Sequence, residues 1–293
     1  MYLDKKVKII FNPNAHRGAS VELFKQLKAE LDKHDISYVV LETKKNKDAI
    51  ELSEKNIEDN DIVFIVGGDG TVYETINGTI TKNNIRYFII PAGTGNDLYG
   101  TMKNDFSFED AMQSLKKNLT KKCNTITING MVTMSLFLAY GIVIDIIMEC
   151  RKGKKKNHFC YTKAAAKSMF SHKPTYFNYS IEDGKTISIK ADYIGLHNAP
   201  RAGGGMRISP FSKIDDNKFE LVILEYVGFV RRVLNFVAIV RKKIDTQPNY
   251  RSISCKKVQV KSMQNEIFCV DGEILKGNEI IAKLNNGFIE FYV

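Results

Sequence analysis

Long apolar runs, paired cysteines, repeats and low-complexity linkers are what this chain lacks. The five cysteines, Cys123, Cys150, Cys160, Cys255 and Cys269, are scattered and form no C-x-x-C pair. That excludes the usual zinc-ribbon and dithiol motifs and points to a reducing, cytoplasmic setting. The longest apolar stretch, near residues 233–240, is broken by Asn235 and flanked by Arg231, Arg232, Arg241, Lys242 and Lys243. It falls well short of the ~20 residues that span a bilayer. The opening Met-Tyr-Leu-Asp-Lys-Lys leads straight into a strand-like segment, without the apolar core of a signal peptide, so export by that route is not expected. No nucleic-acid-binding module and no interleaving of aromatic with basic residues appears, and nucleic acid is not expected as a partner.

What is present is the composition of a folded protein, 44% hydrophobic and 26% charged over 293 residues, enough for two domains of ordinary size. A net charge of +10 favours an anionic partner without choosing among nucleotide, acidic membrane and nucleic acid; compositional bias toward lysine and asparagine is an equally good source of it.

Over the first 122 residues, short apolar runs alternate with amphipathic helical patterns, the form taken by parallel β-α units. Residues 7–11 predict a first strand, and Ser20 an N-cap for a helix carrying Leu23, Phe24, Leu27 and Leu31 on one face. Strands are expected at 38–41, 61–66 and 87–90, and helices at 47–55 and 72–80. Ser107 with Asp110 caps a further helix. After Asp61 the run 61–66 is β-branched and aromatic, suited to a strand buried on both faces.

After about residue 122 strands follow one another, at 124–128, 133–139, 175–182, 186–195, 218–225, 256–261 and 266–270. Glu182-Asp183-Gly184-Lys185 reads as a tight hairpin turn. Helical patterns interrupt them only near 159–170 and 227–243. The expected fold class is an α/β N-terminal domain with a parallel sheet over 1–122, and a C-terminal antiparallel β-sandwich over 123–293 whose last residues return to the first domain.

Two glycine-bearing loops follow strand ends. The first is Gly67-Gly68-Asp69-Gly70-Thr71 and the second Gly93-Thr94-Gly95-Asn96-Asp97. Glycines let backbone N–H groups approach phosphate oxygens, and a helix N-terminus adds the positive end of its dipole. Asp69 inside such a loop repels phosphate unless it faces a cation such as Mg²⁺. A plain strand-to-helix turn has the same residues, and placement at two strand ends is what argues for a phosphate site.

With Asn12-Pro13 and Gly18 after the first strand and Asp271-Gly272-Glu273 near the C-terminus, these motifs stand in an order and spacing that resemble the bacterial diacylglycerol kinase family, which extends to sphingosine and ceramide kinases. The resemblance covers essentially the whole chain and implies an ATP- and Mg²⁺-dependent kinase acting on a lipid alcohol, diacylglycerol first. It implies that Asn12, Thr43, Gly67, Gly68, Gly70, Thr71, Gly93 and Thr94 line the ATP site, with Asp69 and Asp97 beside the reacting phosphate and Glu273 as general base. Taken alone, Asp271-Gly272-Glu273 is more often a hairpin turn. The stretch from Lys213 to Lys218 resembles the family's structural magnesium loop, which implies that Asp216 binds through its side chain and Lys213 and Lys218 through their carbonyls. Asn217 stands where the family usually has glycine, and asparagine also tolerates a left-handed backbone. An acidic turn without metal is the competing reading.

Gly203-Gly204-Gly205-Met206 matches another family segment and reads as a cleft wall or a bulge. Asn124, Leu136 and Val143 depart from the acidic or amide residues common in relatives, which leaves the lipid open, and the C-terminal tail with which relatives often complete the nucleotide domain is expected to be short or absent. The cations Arg151, Lys152, Lys154, Lys155 and Lys156, followed by Lys163 and Lys167, fit either a solvated loop or docking to the anionic inner face of a membrane. Expected partners are therefore a lipid alcohol and an anionic membrane surface, and a homodimer stays open. NAD kinases and sugar-phosphate kinases share the Gly-Gly-Asp-Gly loop and form the main alternative, with a non-catalytic nucleotide-binding regulator behind them.

Overall fold

The computed structural model describes residues 7–103, 105–133, 136–152, 158–203, 205–264 and 266–293. The chain divides into two compact units, Met1–Thr125 with Gly287–Val293, and Ile126–Asn286.

The first unit strings together β1 (Val7–Phe11), α1 (Ser20–Lys33), β2 (Tyr38–Glu42), α2 (Asp48–Asn56), β3 (Ile62–Gly67), α3 (Asp69–Gly78), β4 (Arg86–Pro91), α4 (Asp97–Met102) and α5 (Phe108–Lys117). Its sheet has the order β2-β1-β3-β4, and every pair is parallel. The strand β3 is buried at every residue, as an interior strand covered on both faces must be. Helix α1 packs Leu27 and Leu31, both fully buried, into the core with Ile9, Phe64 and Ile90, and Phe24 stacks on Phe11 at 4.0 Å. Each leucine contributes roughly 2 kcal/mol by burial, so Leu27→Ala is the kind of change that weakens this half most. Ser107 Oγ accepts the Asp110 N–H at 3.1 Å, the expected cap of α5.

Three local expectations are corrected in this unit. Ser20 is the first helical residue rather than the cap, because its hydroxyl donates to the Asn12 carbonyl at 2.7 Å instead of accepting a helix N–H. Helix α3 starts at Asp69 rather than Val72, so the second half of the first glycine loop is itself the first helical turn. Helix α2 starts one residue late, because Lys47 takes a left-handed conformation (φ 66°) outside it.

The second unit contains β6 (Met131–Thr133), β7 (Phe137–Gly141), α6 (Ile142–Lys152), α7 (His158–Ser171), β8 (Thr175–Ile181), β9 (Ile187–His197), β10 (Phe219–Glu225), α8 (Phe229–Val240), β11 (Tyr250–Cys255), β12 (Lys257–Ser262), β13 (Ile267–Val270) and β14 (Glu273–Lys276). The strands β5 (Thr120–Ile128) and β15 (Glu279–Tyr292) each cross the boundary between the units. Pairing in the second unit is antiparallel, with β9 between β7 and β8, β10 on β9, and β12 between β8 and β15. In the first unit Glu290 and Phe291 of β15 pair in parallel with Arg86 and Tyr87 of β4.

The β8–β9 turn has Glu182 and Asp183 both at positive φ, 49° and 59°, with the Gly184 N–H donating to the Ile181 carbonyl at 2.8 Å. The strand expected at 133–139 is two strands. Asn129 and Gly130, with φ of 48° and 86°, turn β5 back as β6, pairing Ile128 with Met131, and β7 begins only at Phe137. Helix α6 was not expected, because Ile142, Val143, Ile144, Ile146 and Ile147 are β-branched; Ile144, Ile147 and Cys150 nevertheless fall on one buried helical face. No helix among the described residues is long and apolar enough to cross a membrane.

Candidate active site

In the first unit β1 lies between β2 and β3, so the chain leaves β1 on one side and returns on the other. At such a switch point the loops at the carboxyl ends part and leave a crevice. Asn12 follows β1, Thr43 follows β2, Gly68 follows β3 and Gly93 stands just beyond β4. These residues line an open pocket of about 220 Å³.

Asn12 ties the loops together. Its N–H donates to the Val66 carbonyl at 3.0 Å, its side-chain oxygen accepts the Asn14 N–H at 3.0 Å, and its side-chain amide donates to Thr71 Oγ1 at 3.0 Å. The Thr43 N–H donates to the Phe11 carbonyl at 2.9 Å, which sets the end of β2 beside Asn12. The two glycine loops meet backbone to backbone. A Cβ on Gly68 would lie 2.9 Å from Gly93 Cα, and a Cβ on Gly93 2.5 Å from Gly68 Cα. Gly70 differs: a Cβ there would meet nothing within 4 Å, and the residue borders the pocket. The first-turn N–H groups of α3, which have no partner inside the helix, together with the helix dipole make this end suited to an anion.

Asp69 is the first residue of α3 and Asp97 the first of α4, and the Asp97 N–H donates to Asp69 Oδ1 at 2.7 Å. Burial pushes the Asp69 carboxyl up from 3.8 to about 6, the neighbouring Asp97 carboxylate adds to the rise, and the backbone N–H groups of Asp97, Leu98 and Asn96 oppose it. The Asp69 carboxylate, disfavoured by burial and by its acidic neighbour, is relieved by a hard cation, so the donor set fits Mg²⁺.

Of the expected nucleotide residues, Asn12, Thr43, Gly68, Gly70, Thr71 and Gly93 border the pocket. Gly67 is buried behind it, where a Cβ would strike the Thr71 side chain at 2.6 Å, and Thr94 is exposed on the second loop, outside the lining. The lining also includes Ala15, His16, Lys45, Asn46 and Glu74, which the sequence did not single out. The available signals were positional: Ala15 and His16 follow β1, Lys45 and Asn46 follow β2, and Glu74 lies one helical turn beyond Gly70.

In the second unit, Asp271-Gly272-Glu273 forms the turn between β13 and β14, with Asp271 and Gly272 at φ of 46° and 91°. The Asp271 carboxylate accepts the Leu136 and Phe137 N–H groups, each at 3.0 Å, and so pins the start of β7. Glu273 is exposed, and Arg151 at the end of α6 reaches it at 3.3 Å while also donating to the Gly272 carbonyl at 3.1 Å. Asp216 keeps its Oδ1 buried with no hydrogen-bond partner, and burial raises its carboxyl above the usual range although Lys218 opposes this. Asn217 takes the left-handed conformation, φ 58°. The orphaned oxygen fits a cation held with the carbonyls of Lys213 and Lys218; among the described residues no three His, Cys, Asp or Glu side chains gather as a metal cluster. Gly203 and Gly205 belong to a small loop closed by the Ala202 N–H on the Met206 carbonyl at 3.0 Å. Gly204 and the cations Lys154, Lys155 and Lys156 lie outside the described residues.

Comparison with known proteins follows the same division. Residues 6–128 match the diacylglycerol kinase catalytic domain family, and residues 146–289 match the YegS C-terminal NAD kinase beta sandwich-like domain family, so the antiparallel strands form a sandwich of that type. A Staphylococcus haemolyticus protein named "Putative lipid kinase SH2167" is 29% identical over 195 residues, covering 64% of this chain and 60% of that protein's length. A solved Bacillus anthracis structure described as a diacylglycerol kinase shares the fold with a TM-score of 0.78 at 20% identity, covering 98% of this chain and 96% of that one. A yeast NADH kinase shares it more distantly, with a TM-score of 0.54 at 12% identity over 99% of this chain and 80% of the other.

Proposed function

For a chain that belongs to the diacylglycerol kinase family, we propose transfer of the γ-phosphoryl group of ATP to the hydroxyl of a lipid alcohol, with diacylglycerol as substrate and phosphatidic acid as product. The observation that carries the proposal is the backbone contact of Gly68 with Gly93, which sets two glycine loops and the carboxyls of Asp69 and Asp97 at one sheet edge. The first-turn N–H groups of α3 and the Lys45 side chain hold phosphate oxygens, and Asn12 fixes Thr71 and with it the loop.

Asp69 and Asp97 are the groups that hold a nucleotide-bound Mg²⁺, whose chemistry is to neutralise charge on the β- and γ-phosphates. In the transfer the lipid hydroxyl oxygen bonds to the γ-phosphorus, the bond to the β–γ bridging oxygen breaks, ADP leaves, and Glu273 accepts the hydroxyl proton. The role of Glu273 rests on the family's motif; its exposure and its turn, fixed by Asp271, are compatible with it. Asp216, with the carbonyls of Lys213 and Lys218, holds a second cation of structural effect. The protein acts at the membrane face as a peripheral enzyme.

The test supplies γ-labelled ATP and Mg²⁺ with dioleoylglycerol micelles, sphingosine, NAD or a sugar phosphate in separate reactions. Label in the organic phase with dioleoylglycerol is expected. Transfer to NAD or a sugar phosphate alone overturns the proposal.

A further inference from the structure

Helix α8 is turned inside out. Its side chains facing the second unit's interior include Arg232 and Asn235, while Phe229, Val230, Leu234, Val237 and Val240 are exposed. Residues 230, 234 and 237 repeat at helical spacing and make one continuous apolar stripe. Phe170 at the end of α7 extends it: its ring lies 5.2 Å from that of Phe229, and it is 77% exposed, with Val230 at 72%.

The reversal is built in. Arg232 is locked inward by Asp192 Oδ1, reached at 3.0 Å by Nε and 2.8 Å by the guanidinium's outer nitrogen, and by the carbonyls of Met169 and His172 at 2.9 and 3.0 Å. The Asn235 amide is buried with no hydrogen-bond partner at either atom. Rotating the helix to hide its apolar stripe would break the Arg232 ion pair, so the stripe is held toward the outside.

The rim of the stripe is cationic. From Tyr226 to Ile244 the sequence has no acidic residue, and Arg241, Lys242 and Lys243 stand exposed where the helix ends. Apolar side chains on one helical face with a basic border match the boundary between acyl chains and anionic headgroups. A second copy of the chain fits less well, since over residues 226–244 its identical face carries the same cations and no acidic group, and only Asp245 and the Arg251-paired Glu225 flank it.

We propose that the exposed face of α8, with Phe170, is the surface by which this protein seats on an anionic phospholipid bilayer. The surface rests on the lipid-kinase reading only for the choice of a bilayer as occupant. It places docking on an apolar helix face rather than on the lysine-rich stretch at 151–156.

Co-sedimentation of the full chain without ATP, using vesicles of phosphatidylglycerol with phosphatidylcholine and of phosphatidylcholine alone, tests it with wild type and the triple variant Val230→Gln, Leu234→Gln, Val237→Gln. These positions are exposed and glutamine is a good helix former, so the variant is expected to fold with unchanged thermal unfolding. Wild type is expected to bind the anionic vesicles and the variant about a hundredfold more weakly. Both are expected to phosphorylate dioctanoylglycerol dissolved below its aggregation limit at the same rate. Equal vesicle binding by variant and wild type overturns the surface, as does a wild-type dimer that the variant dissolves without losing vesicles. Absence of phosphoryl transfer by wild type to the dissolved substrate overturns the kinase reading instead, and the vesicle comparison still decides the surface.

Discussion

The Asp97 N–H donates to Asp69 Oδ1 at 2.7 Å, so one acidic residue is held against another at the mouths of two adjoining helices. Below pH 3.8 Asp69 carries its proton in both folded and unfolded chains and is silent. Between 3.8 and about 6 the folded chain keeps a proton that the unfolded chain has lost, and above that folding must bear the buried charge. Stability contributed by this group therefore falls as pH rises through that window in the metal-free protein. Asp69→Asn is expected to remove the fall and to stabilise the protein at pH 7.5 by about 2 kcal/mol. Urea unfolding from pH 4 to pH 8, with a chelator present, checks it.

The glycines of the two loops separate folding from binding. Gly68→Ala forces a methyl group to within 2.9 Å of Gly93 Cα, where only backbone can yield, and is expected to cost about 2 kcal/mol or more. Gly70→Leu meets nothing near its Cβ and is expected to fold as well as wild type while filling the pocket. Thermal unfolding with nucleotide titration distinguishes the two: Gly70→Leu should keep its unfolding temperature and lose at least about tenfold in ATP affinity.

Asp271 and Glu273, two residues apart, do different work. Asp271→Ala leaves the Leu136 and Phe137 N–H groups without their acceptor and is expected to destabilise the protein by about 1–3 kcal/mol. Glu273→Gln loses only an exposed ion pair to Arg151, worth about 1 kcal/mol at most. Denaturant midpoints of the two variants give the comparison.

The buried Oδ1 of Asp216 should make stability depend on a hard cation. Millimolar Mg²⁺ is expected to raise the unfolding temperature of wild type, by an amount that grows with concentration as linkage requires, and to raise that of Asp216→Asn distinctly less, the remainder coming from Asp69 and Asp97. Scanning fluorimetry in Mg²⁺ and in chelator measures both, without nucleotide present.

Much of the fold was legible because its elements are set by local pattern. Residues 7–11, apolar but for Lys8, and the unbroken apolar run 62–66 became the neighbouring parallel strands β1 and β3. Helix α6 was not legible, since its isoleucines favour a strand and only the fully formed sheet buries Ile144, Ile147 and Cys150 together. Asn129-Gly130 is a two-residue hairpin signal and accounts for β5 turning back as β6, whereas no turn residue inside 133–139 marked where β6 ends and β7 begins. At the pocket, the glycines could be read from residue type at strand ends, whereas His16 and Lys45 had only their place after β1 and β2 to mark them and reach the crevice only after β2 and β3 flank β1. The outward stripe of α8 was hidden for a related reason: amphipathic spacing tells that a helix has an apolar face, not that Arg232 and Asn235 take the inside.

The most direct test of lipid phosphorylation is the initial rate at which label from γ-labelled ATP enters chloroform-extractable product, with dioleoylglycerol and Mg²⁺, for wild type and Glu273→Gln. Labelled phosphatidic acid from wild type, with kcat reduced about a hundredfold or more in Glu273→Gln at an unchanged unfolding temperature, is the expected result. No labelled lipid from wild type would contradict the proposed activity, and an undiminished rate in the variant would remove Glu273 as the base.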